Sequence, residues 1–235
     1  MKIAIFYHIA QIGLGAFIYQ SQLHRLYVSG LIKEASYIHF GVNGNQELFN
    51  VPQKAVVKRN KIWKEETETL MSLRDFALDN PDYKILYFHT KGVSKNSIES
   101  QSWRLMMEYF VIDKWKECIK YLDEYDCVGQ TFKPLGPTLW SDGSMTENTG
   151  VGCFCGNFWW ANASYIQTLD HEYLETDYRF DREFWIGTNP NCKAKSLQEC
   201  GEDEEFAANH PIPIKKGLGD YEPYTHIFSE EEYVI

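Results

Sequence analysis

The 235-residue chain carries a formal net charge of −10, with 33 acidic residues against 23 lysines and arginines. This length fits one sizeable core better than two, and the acidic balance argues against a broad nucleic-acid surface while permitting a local basic pocket for a phosphorylated ligand. No stretch reaches the ~20 apolar residues of a transmembrane helix, and the first residues are typical of a strand rather than a signal peptide. Six cysteines without paired zinc spacing indicate reduced thiols in a cytoplasmic protein.

Strand-like and helix-like segments alternate along the first part of the chain. Strand-like runs at 2–9, 37–42, 55–58 and 84–88 enclose helix-like runs at about 16–32 and 64–78. This βαβαβ order predicts an α/β fold with a Rossmann-like, mostly parallel sheet flanked by helices.

The second part of the chain is less regular. A long helix at about 102–123 is apolar nearly all round, which predicts deep burial. A loop rich in Gly, Pro, Ser and Thr at 130–152 precedes a strand at about 154–160 and a helix at about 163–169. The apolar run at 184–187 should enter the core, and the polar tail after residue 201 should wrap the surface.

A polar motif ends the fourth predicted strand at His89, Lys91 and Gly92. The carboxyl ends of strands in open α/β sheets are the usual ligand-binding edge, Lys91 can reach a phosphate, and Gly92 lets the chain turn. With Arg104, these residues predict a ligand site, and a solvated turn is the alternative.

Other strand ends add candidate nucleotide contacts. They are Tyr7 and His8 on the first strand and Arg59 and Asn60 after the third, although an exposed turn would also explain the latter pair. A Gly-Leu-Gly segment at 13–15 is only a fragment of a dinucleotide fingerprint and is weak support for NAD.

The later predicted strand carries two adjacent tryptophans. Trp159 and Trp160 should face opposite sides of the sheet, one in the core and the other available to stack on a sugar. Gly156, Asn157 and Trp185 complete the predicted substrate-binding set. Core packing of both indoles is the alternative.

A carboxylate precedes the apolar run at 184–187. Glu183 would be partly desolvated at the edge of the core, which is typical of a general base for a sugar hydroxyl. A structural ion pair with Arg179 or Arg182 is the competing interpretation.

Together these motifs resemble those of small GT-A-type glycosyltransferases, in particular bacterial and large-virus enzymes of surface-glycan synthesis such as the rhamnan synthesis F family. The similarity covers residues 84–187 well and the first strands only by their rhythm. It is carried by four segments: His89-Thr90-Lys91, Trp103-Arg104, Gly156-Asn157-Phe158-Trp159-Trp160 and Glu183-Phe184-Trp185-Ile186-Gly187.

The resemblance implies one GT-A-like domain over residues 1–235, with a nucleotide-sugar-binding half at 1–95 and an acceptor-binding half and tail at 96–235. It implies a cytoplasmic, membrane-peripheral hexosyltransferase or similar enzyme that moves sugar from a UDP-, GDP- or dTDP-sugar to a glycan or glycolipid in polysaccharide biosynthesis. Lys91, His89 and Arg104 would stabilise the leaving diphosphate, and Glu183 would activate the acceptor for inverting transfer.

The sequence departs from the GT-A pattern at the metal motif. His89-Thr-Lys91 stands where such enzymes place Asp-x-Asp, so the usual carboxylate ligands of Mn²⁺ or Mg²⁺ are missing. We therefore expect a mechanism that requires no metal cofactor, with His89 and His226 as reserve ligands for Mn²⁺ or Mg²⁺.

Two other functions compete with the glycosyltransferase. A non-catalytic carbohydrate-binding module would need only the tryptophan-rich strands, but it does not explain a βαβ half that ends in His-Thr-Lys. A nucleotidyltransferase that makes a sugar nucleotide would share the fold, but the first strand lacks a Gly-rich phosphate loop followed by a basic run.

Overall fold

The computed structural model describes residues 1–61, 66–94, 97–134, 138–139, 145–146, 152–178 and 180–198. Its strands are β1 (Lys2–Ala10), β2 (Tyr37–Asn43), β3 (Ala55–Arg59), β4 (Tyr83–His89), β5 (Cys127–Gly129), β6 (Phe132–Pro134), β7 (Thr138–Leu139), β8 (Met145–Thr146), β9 (Gly152–Phe154), β10 (Trp159–Asn162) and β11 (Ala194–Ser196). Seven of them form one sheet in the order β3-β2-β1-β4-β10-β5-β11. Neighbours are parallel except where β10 pairs with β4 and β5, so the predicted α/β, mostly parallel sheet is confirmed.

Helices cover both faces of this sheet. They are α1 (Gly15–Val28), α2 (Leu31–Glu34), α3 (Thr67–Asp79), α4 (Ile98–Glu108), α5 (Trp115–Tyr121), α6 (Ala163–Ile166) and α7 (Asp181–Phe184), with 3₁₀ turns at His171–Leu174 and Trp185–Gly187. The predicted helix at 16–32 is divided by Gly30, whose φ of 76° is a left-handed conformation that ends a helix. No helix in the described residues is both long and apolar enough to cross a membrane.

The core has two layers because β1 is buried on both faces. Ile3, Ile5 and Tyr7 join the cluster that includes α1, whereas Ala4 and Phe6 join the cluster that includes α3. Successive strand residues point to opposite faces, so a central strand with helices on both sides is apolar throughout.

The predicted strand at 154–160 is two strands separated by a turn. Gly156 has a φ of 85° and Asn157 a φ of 60°, which places two successive residues in the left-handed region and interrupts the extended backbone. The predicted opposition of the two indoles is confirmed, because Trp160 packs in the α1 cluster and Trp159 in the α3 cluster.

The predicted helix at 102–123 is also interrupted. A π-helical segment at Tyr109–Asp113 separates α4 from α5. Next to it, the fully buried Glu108 accepts hydrogen bonds from Arg25 Nη1 at 3.0 Å and Gln22 Nε2 at 2.8 Å. Arg104 Nε lies 3.2 Å from the same carboxylate, a charge contact without hydrogen-bond geometry. This cluster ties α4 to α1.

Loss of the Glu108 carboxylate should destabilise the fold strongly. Glu108→Ala leaves Arg104 as a buried cation without its Glu108 counter-charge and removes one of the two carboxylates paired with Arg25, the other being Asp113; breaking a buried ion pair costs ~3–5 kcal/mol in proteins. We expect urea denaturation to show this loss, and Asp82→Asn, which breaks the exposed contact to Lys2, to leave the midpoint unchanged. Equal midpoints for the two variants would contradict the assigned role of Glu108.

Candidate functional site

A cavity of about 430 Å³ opens at the carboxyl ends of β1, β2 and β4. His8 and Ala10 line it from β1, Asn43 from β2 and His89 from β4. The chain passes from β1 outward to β2 and β3 and then returns to place β4 on the other side of β1. Open α/β sheets bind ligands at this point, where the strand order reverses, so the cavity is the candidate active site.

The segment after β4 is fastened to β1. The Thr90 amide donates to the His8 carbonyl at 3.0 Å, and Thr90 Oγ1 accepts from the Ala10 amide at 2.9 Å. The next turn carries Gly92 with a φ of 84°, as its predicted role in turning the chain requires. These bonds place Lys91 at the cavity wall.

Lys91 is the cation of this wall. Its Nζ lies 4.5 Å from the ring centroid of Trp103, which also lines the cavity. Within the described residues Lys91 forms no ion pair with a carboxylate. Its charge is therefore available to an anionic ligand.

The Gly-Leu-Gly segment serves packing between loops. A Cβ on Gly13 would lie 2.1 Å from the Val93 carbonyl oxygen, and one on Gly15 would lie 2.1 Å from that of Ala10. The Leu14 amide donates to the Val93 carbonyl at 3.0 Å. Gly13 lets the loop after β1 approach the loop after β4, and Gly15 lets the start of α1 approach the end of β1, which explains both glycines without a dinucleotide.

Glu66, at the start of α3, connects several parts of the site. Its Oε2 accepts from Tyr87 Oη at 2.8 Å and from Asn157 Nδ2 at 2.6 Å, and its Oε1 lies 3.3 Å from His89 Nδ1. Glu66 also lines the cavity. Sequence reasoning missed this residue, because no local motif marks a helix-terminal glutamate whose partners are distant in the chain.

His89 stands between two oxygen acceptors. Its Nε2 lies 3.0 Å from the Gly156 carbonyl oxygen and its Nδ1 faces Glu66. That geometry suits a charged ring, but burial and then Lys91 lower the pKa of His89 to about 3. We take the neutral ring as the state at pH 7, since burial removes water and Lys91 repels a second cation, and the shorter contact then assigns the proton to Nε2.

His8 lies next to His89 across the β1–β4 pair. Its Nδ1 contacts Thr69 Oγ1 at 2.9 Å, and Thr69 in turn receives a 3.4 Å contact from Asn60 Nδ2. Burial, reinforced by His89 and opposed by Glu66, lowers the pKa of His8 to about 4. His8 is thus a neutral ring at the cavity wall at pH 7.

Arg182 and Glu183 also line the cavity. Arg182 is held by its surroundings: its Nε donates to Thr67 Oγ1 at 2.9 Å and its Nη1 to the Tyr178 carbonyl at 2.5 Å. The half-buried Glu183 carboxylate has no hydrogen-bond or ion-pair partner among the residues the structure describes. The alternative ion pair with Arg182 is therefore not formed, and Arg179 lies outside the described residues.

Several predicted ligand contacts are core residues instead. Trp159, Trp160 and Trp185 are 0 % exposed, so none can present a stacking face to a sugar. Tyr7 is equally buried and donates to Gln22 Oε1 at 2.6 Å. Arg104 belongs to the Glu108 cluster behind the cavity rather than to its wall.

The remaining predicted contacts support the site from outside. Gly156 and Asn157 hold His89 and Glu66, and Asn157 Oδ1 accepts from Trp159 Nε1 at 2.8 Å. Arg59 is bound to the loop after β2 through the Gly44 and Gln46 carbonyls. Asn60 is buried and reaches the cavity only through Asn43 and Thr69.

The described residues contain no cluster of three or more His, Cys, Asp or Glu side chains placed to hold a metal ion. His226, the reserve ligand proposed from the sequence, lies outside the described residues. The mechanism without a metal cofactor, expected from the sequence, stays a prediction.

A family described as a domain of unknown function (DUF8361) matches residues 18–176, and the chain belongs to it. No curated protein matches the chain. Among solved structures, the bifunctional IspDF from Campylobacter jejuni has a TM-score of 0.46 and 9 % identity, over 92 % of this chain and 56 % of its own length. A 4-diphosphocytidyl-2C-methyl-D-erythritol synthase has a TM-score of 0.42 and 11 % identity, over 88 % of this chain and 95 % of its own.

These comparisons correct the leading expectation from the sequence. Both structures belong, by their descriptions, to enzymes other than glycosyltransferases, and the named product of the second is a diphosphocytidyl compound. The glycosyltransferase interpretation is therefore wrong. The findings agree better with the nucleotidyltransferase alternative. Their low similarity assigns no substrate to this chain.

Lowering the pH from about 6.5 to about 4 should reduce the free energy of unfolding. Burial lowers the pKa of His8 and His39 to about 4 and that of His89 to about 3, from the ordinary 6.5. Below pH 6.5 the histidines of the unfolded chain bind protons while those of the folded chain stay neutral. The free energy of unfolding therefore falls as the pH falls. Burial raises the pKa of Asp113 to about 6 and also raises that of Glu108; these two groups act in the opposite sense to the three histidines.

Denaturant titrations at pH values across this interval measure the effect. A free energy of unfolding that stays constant or rises as pH falls would contradict the lowered pKa values of these histidines in the folded protein.

Proposed function

We propose that this member of the DUF8361 family is a nucleotidyltransferase that joins the nucleoside monophosphate unit of a nucleoside triphosphate to a phosphorylated sugar or polyol. The observation that carries the proposal is the composition of the cavity. Lys91 and Glu183 line the same space at the switch point of the sheet, and among the described residues neither has an ion-pair partner. Such a space suits a ligand with a phosphate end and a hydroxyl end.

The cations near the cavity differ in what they can do. Arg104 is committed to Glu108, and Arg182 to Thr67 and to carbonyls of the chain before α7. In the part of the chain that the structure describes, the contact of the Lys91 ammonium is with the ring of Trp103. A compact ammonium group on a flexible stem suits a phosphate group that changes position during transfer.

Glu183 fits the hydroxyl end of such a ligand. An ionised carboxylate accepts hydrogen bonds and repels phosphate, so it favours the ribose or polyol hydroxyls over the phosphates. The cavity of about 430 Å³ lies in the range of small-molecule sites, roughly 300–1,000 Å³.

The chemistry needs little from the protein besides positioning and charge. An oxygen of the acceptor phosphate attacks the α-phosphorus, the bond from that phosphorus to the bridging oxygen breaks, and diphosphate leaves with the electron pair. A phosphate monoester, with a second pKa of ~6, is already ionised at pH 7 and needs no general base. The general-base role expected of Glu183 is therefore unnecessary, while Lys91 would offset charge on the diphosphate.

The carbohydrate-binding module loses its main support. That alternative depended on tryptophans that present flat faces to a sugar, and Trp159, Trp160 and Trp185 are fully buried. A cavity wall that carries Lys91, a cation with no ion-pair partner among the described residues, is closer in chemistry to a phosphorylated ligand than to a neutral carbohydrate.

A first test is nucleotide binding by calorimetry with CTP, UTP, ATP and GTP, each with and without Mg²⁺. At least one should bind, and Lys91→Ala should weaken that binding by ~1.5–3 kcal/mol, roughly 10–150-fold, because a charged hydrogen bond is lost. Lys33→Ala removes an exposed lysine on α2 and should leave affinity unchanged. Equal affinities for the wild-type protein and a folded Lys91→Ala variant would remove Lys91 from the site.

A second test is turnover. The protein should release one diphosphate for each nucleoside triphosphate consumed when a matching sugar or polyol phosphate is present. Glu183→Gln should raise KM for the acceptor while kcat falls less than ~10-fold, because the variant loses a hydroxyl acceptor and not a base. A loss of ~10²–10⁴ in kcat would restore Glu183 as a base. Nucleotide binding without release of diphosphate from the nucleotide, whichever acceptor phosphate is added, would reject nucleotidyl transfer.

A further inference from the structure

A row of buried polar side chains runs behind the His8 wall of the cavity. Asn60 Nδ2 lies 2.7 Å from Asn43 Oδ1 and 3.4 Å from Thr69 Oγ1, and Thr69 Oγ1 lies 2.9 Å from His8 Nδ1. All four residues are buried, with Thr69 at 0 % and His8 at 3 % exposure. In such surroundings each polar hydrogen needs an acceptor, so the row has a direction.

The direction follows from the donors available. The Asn60 amide nitrogen has only hydrogens to offer, so it donates to both Asn43 Oδ1 and Thr69 Oγ1. Thr69 has one hydroxyl hydrogen, and the contact that remains for it is His8 Nδ1. That nitrogen must therefore be an acceptor, and the proton of the neutral imidazole is carried by Nε2.

The other edge of the ring belongs to the cavity. His8 lines it, and Nε2 has no hydrogen-bond partner in the part of the chain that the structure describes. Burial lowers the pKa of His8 to about 4, so the ring is neutral at pH 7. His89, its neighbour across β1 and β4, is a further reason for neutrality, since two adjacent imidazolium ions would repel each other.

We propose that Thr69 is a positioning residue that fixes His8 as the Nε2–H tautomer and thereby aims a neutral hydrogen-bond donor into the cavity. Its ligand would be an anionic phosphate oxygen, a role that rests on the proposed function, whereas the tautomer itself does not. The Lys91 ammonium would attract a phosphate oxygen by its charge, from a range of directions. The neutral His8 N–H would donate a hydrogen bond along one direction.

The backbone around Thr69 is shaped for this contact. A Cβ added to Gly41 on β2 would lie 2.0 Å from Thr69 Oγ1 and 2.9 Å from its Cβ. The glycine thus leaves room for the hydroxyl of α3 to pass over β2 and reach β1. A side chain at position 41 would displace the hydroxyl on which the orientation of His8 depends.

The tautomer can be observed directly by NMR of the full chain labelled with ¹⁵N-histidine. The two ring nitrogens differ strongly in ¹⁵N shift according to which carries the proton. We expect the Nε2–H pattern for His8 at pH 7 in the wild-type protein and in Thr69→Ser, which keeps the hydroxyl. Thr69→Val, which has a similar shape and no hydroxyl, should give a mixture of tautomers.

Asn60→Asp is a stronger test, because it should reverse the direction of the hydrogen bond between Thr69 and His8. A carboxylate accepts the Thr69 hydroxyl hydrogen, so Thr69 Oγ1 would then accept from His8 and move its proton to Nδ1. Melting temperatures confirm that each variant is folded. If Asn60→Asp does not fold, the comparison of Thr69→Val with Thr69→Ser still tests whether the Thr69 hydroxyl fixes the tautomer of His8.

Inorganic diphosphate is the probe for the ligand role. It should shift the His8 Nε2–H resonance in the wild-type protein and bind more weakly to Thr69→Val than to Thr69→Ser. An Nδ1–H or mixed pattern in the wild-type protein overturns the tautomer assignment, whatever binds. The expected tautomer with an unmoved resonance overturns the ligand role alone, and the nucleotide screen then judges the proposed function separately.

Discussion

The parallel pairing of β1 with both β2 and β4 is the constraint on which the site depends. It aligns His8 with His89 and brings the end of β2, with Asn43, to the same edge. Because parallel strands end together, residues far apart in the chain meet at one cavity. The burial of β1 on both faces fixes this register, since a slip by one residue would turn every side chain to the wrong layer.

Two carboxylates, the buried Glu108 and the partly buried Glu66, connect this edge to the helices. Glu108 binds Gln22, whose Nε2 also lies 3.2 Å from the His89 carbonyl oxygen, so the α1–α4 cluster reaches the end of β4. Glu66 binds Tyr87 and Asn157 on the other side of His89. A buried charge is tolerated only with several partners, and these partners hold the strand end in place. Most of the polar groups near the cavity are therefore structural, which is why Lys91 and Glu183 stand out.

The sequence was least informative about which aromatic and basic residues meet a ligand. A tryptophan on a strand looks the same in a local window whether its face is covered or open, and here helices cover both faces of the sheet. Arg104 illustrates the same difficulty for charge: its partner Glu108 is one helical turn away, but its burial follows from the tertiary packing. Exposure and pairing depend on neighbours that periodicity does not identify.

Local pattern by itself determined the early strands and helices, the α/β class and the strand end at His89 and Lys91, because period, apolar runs and turn residues are properties of short segments. Only the tertiary structure decided that Glu66, Thr69 and Asn60 meet at that edge and that Trp159 is core. These outcomes follow from strand order and helix packing, which set the distances between remote residues and the water each side chain can reach.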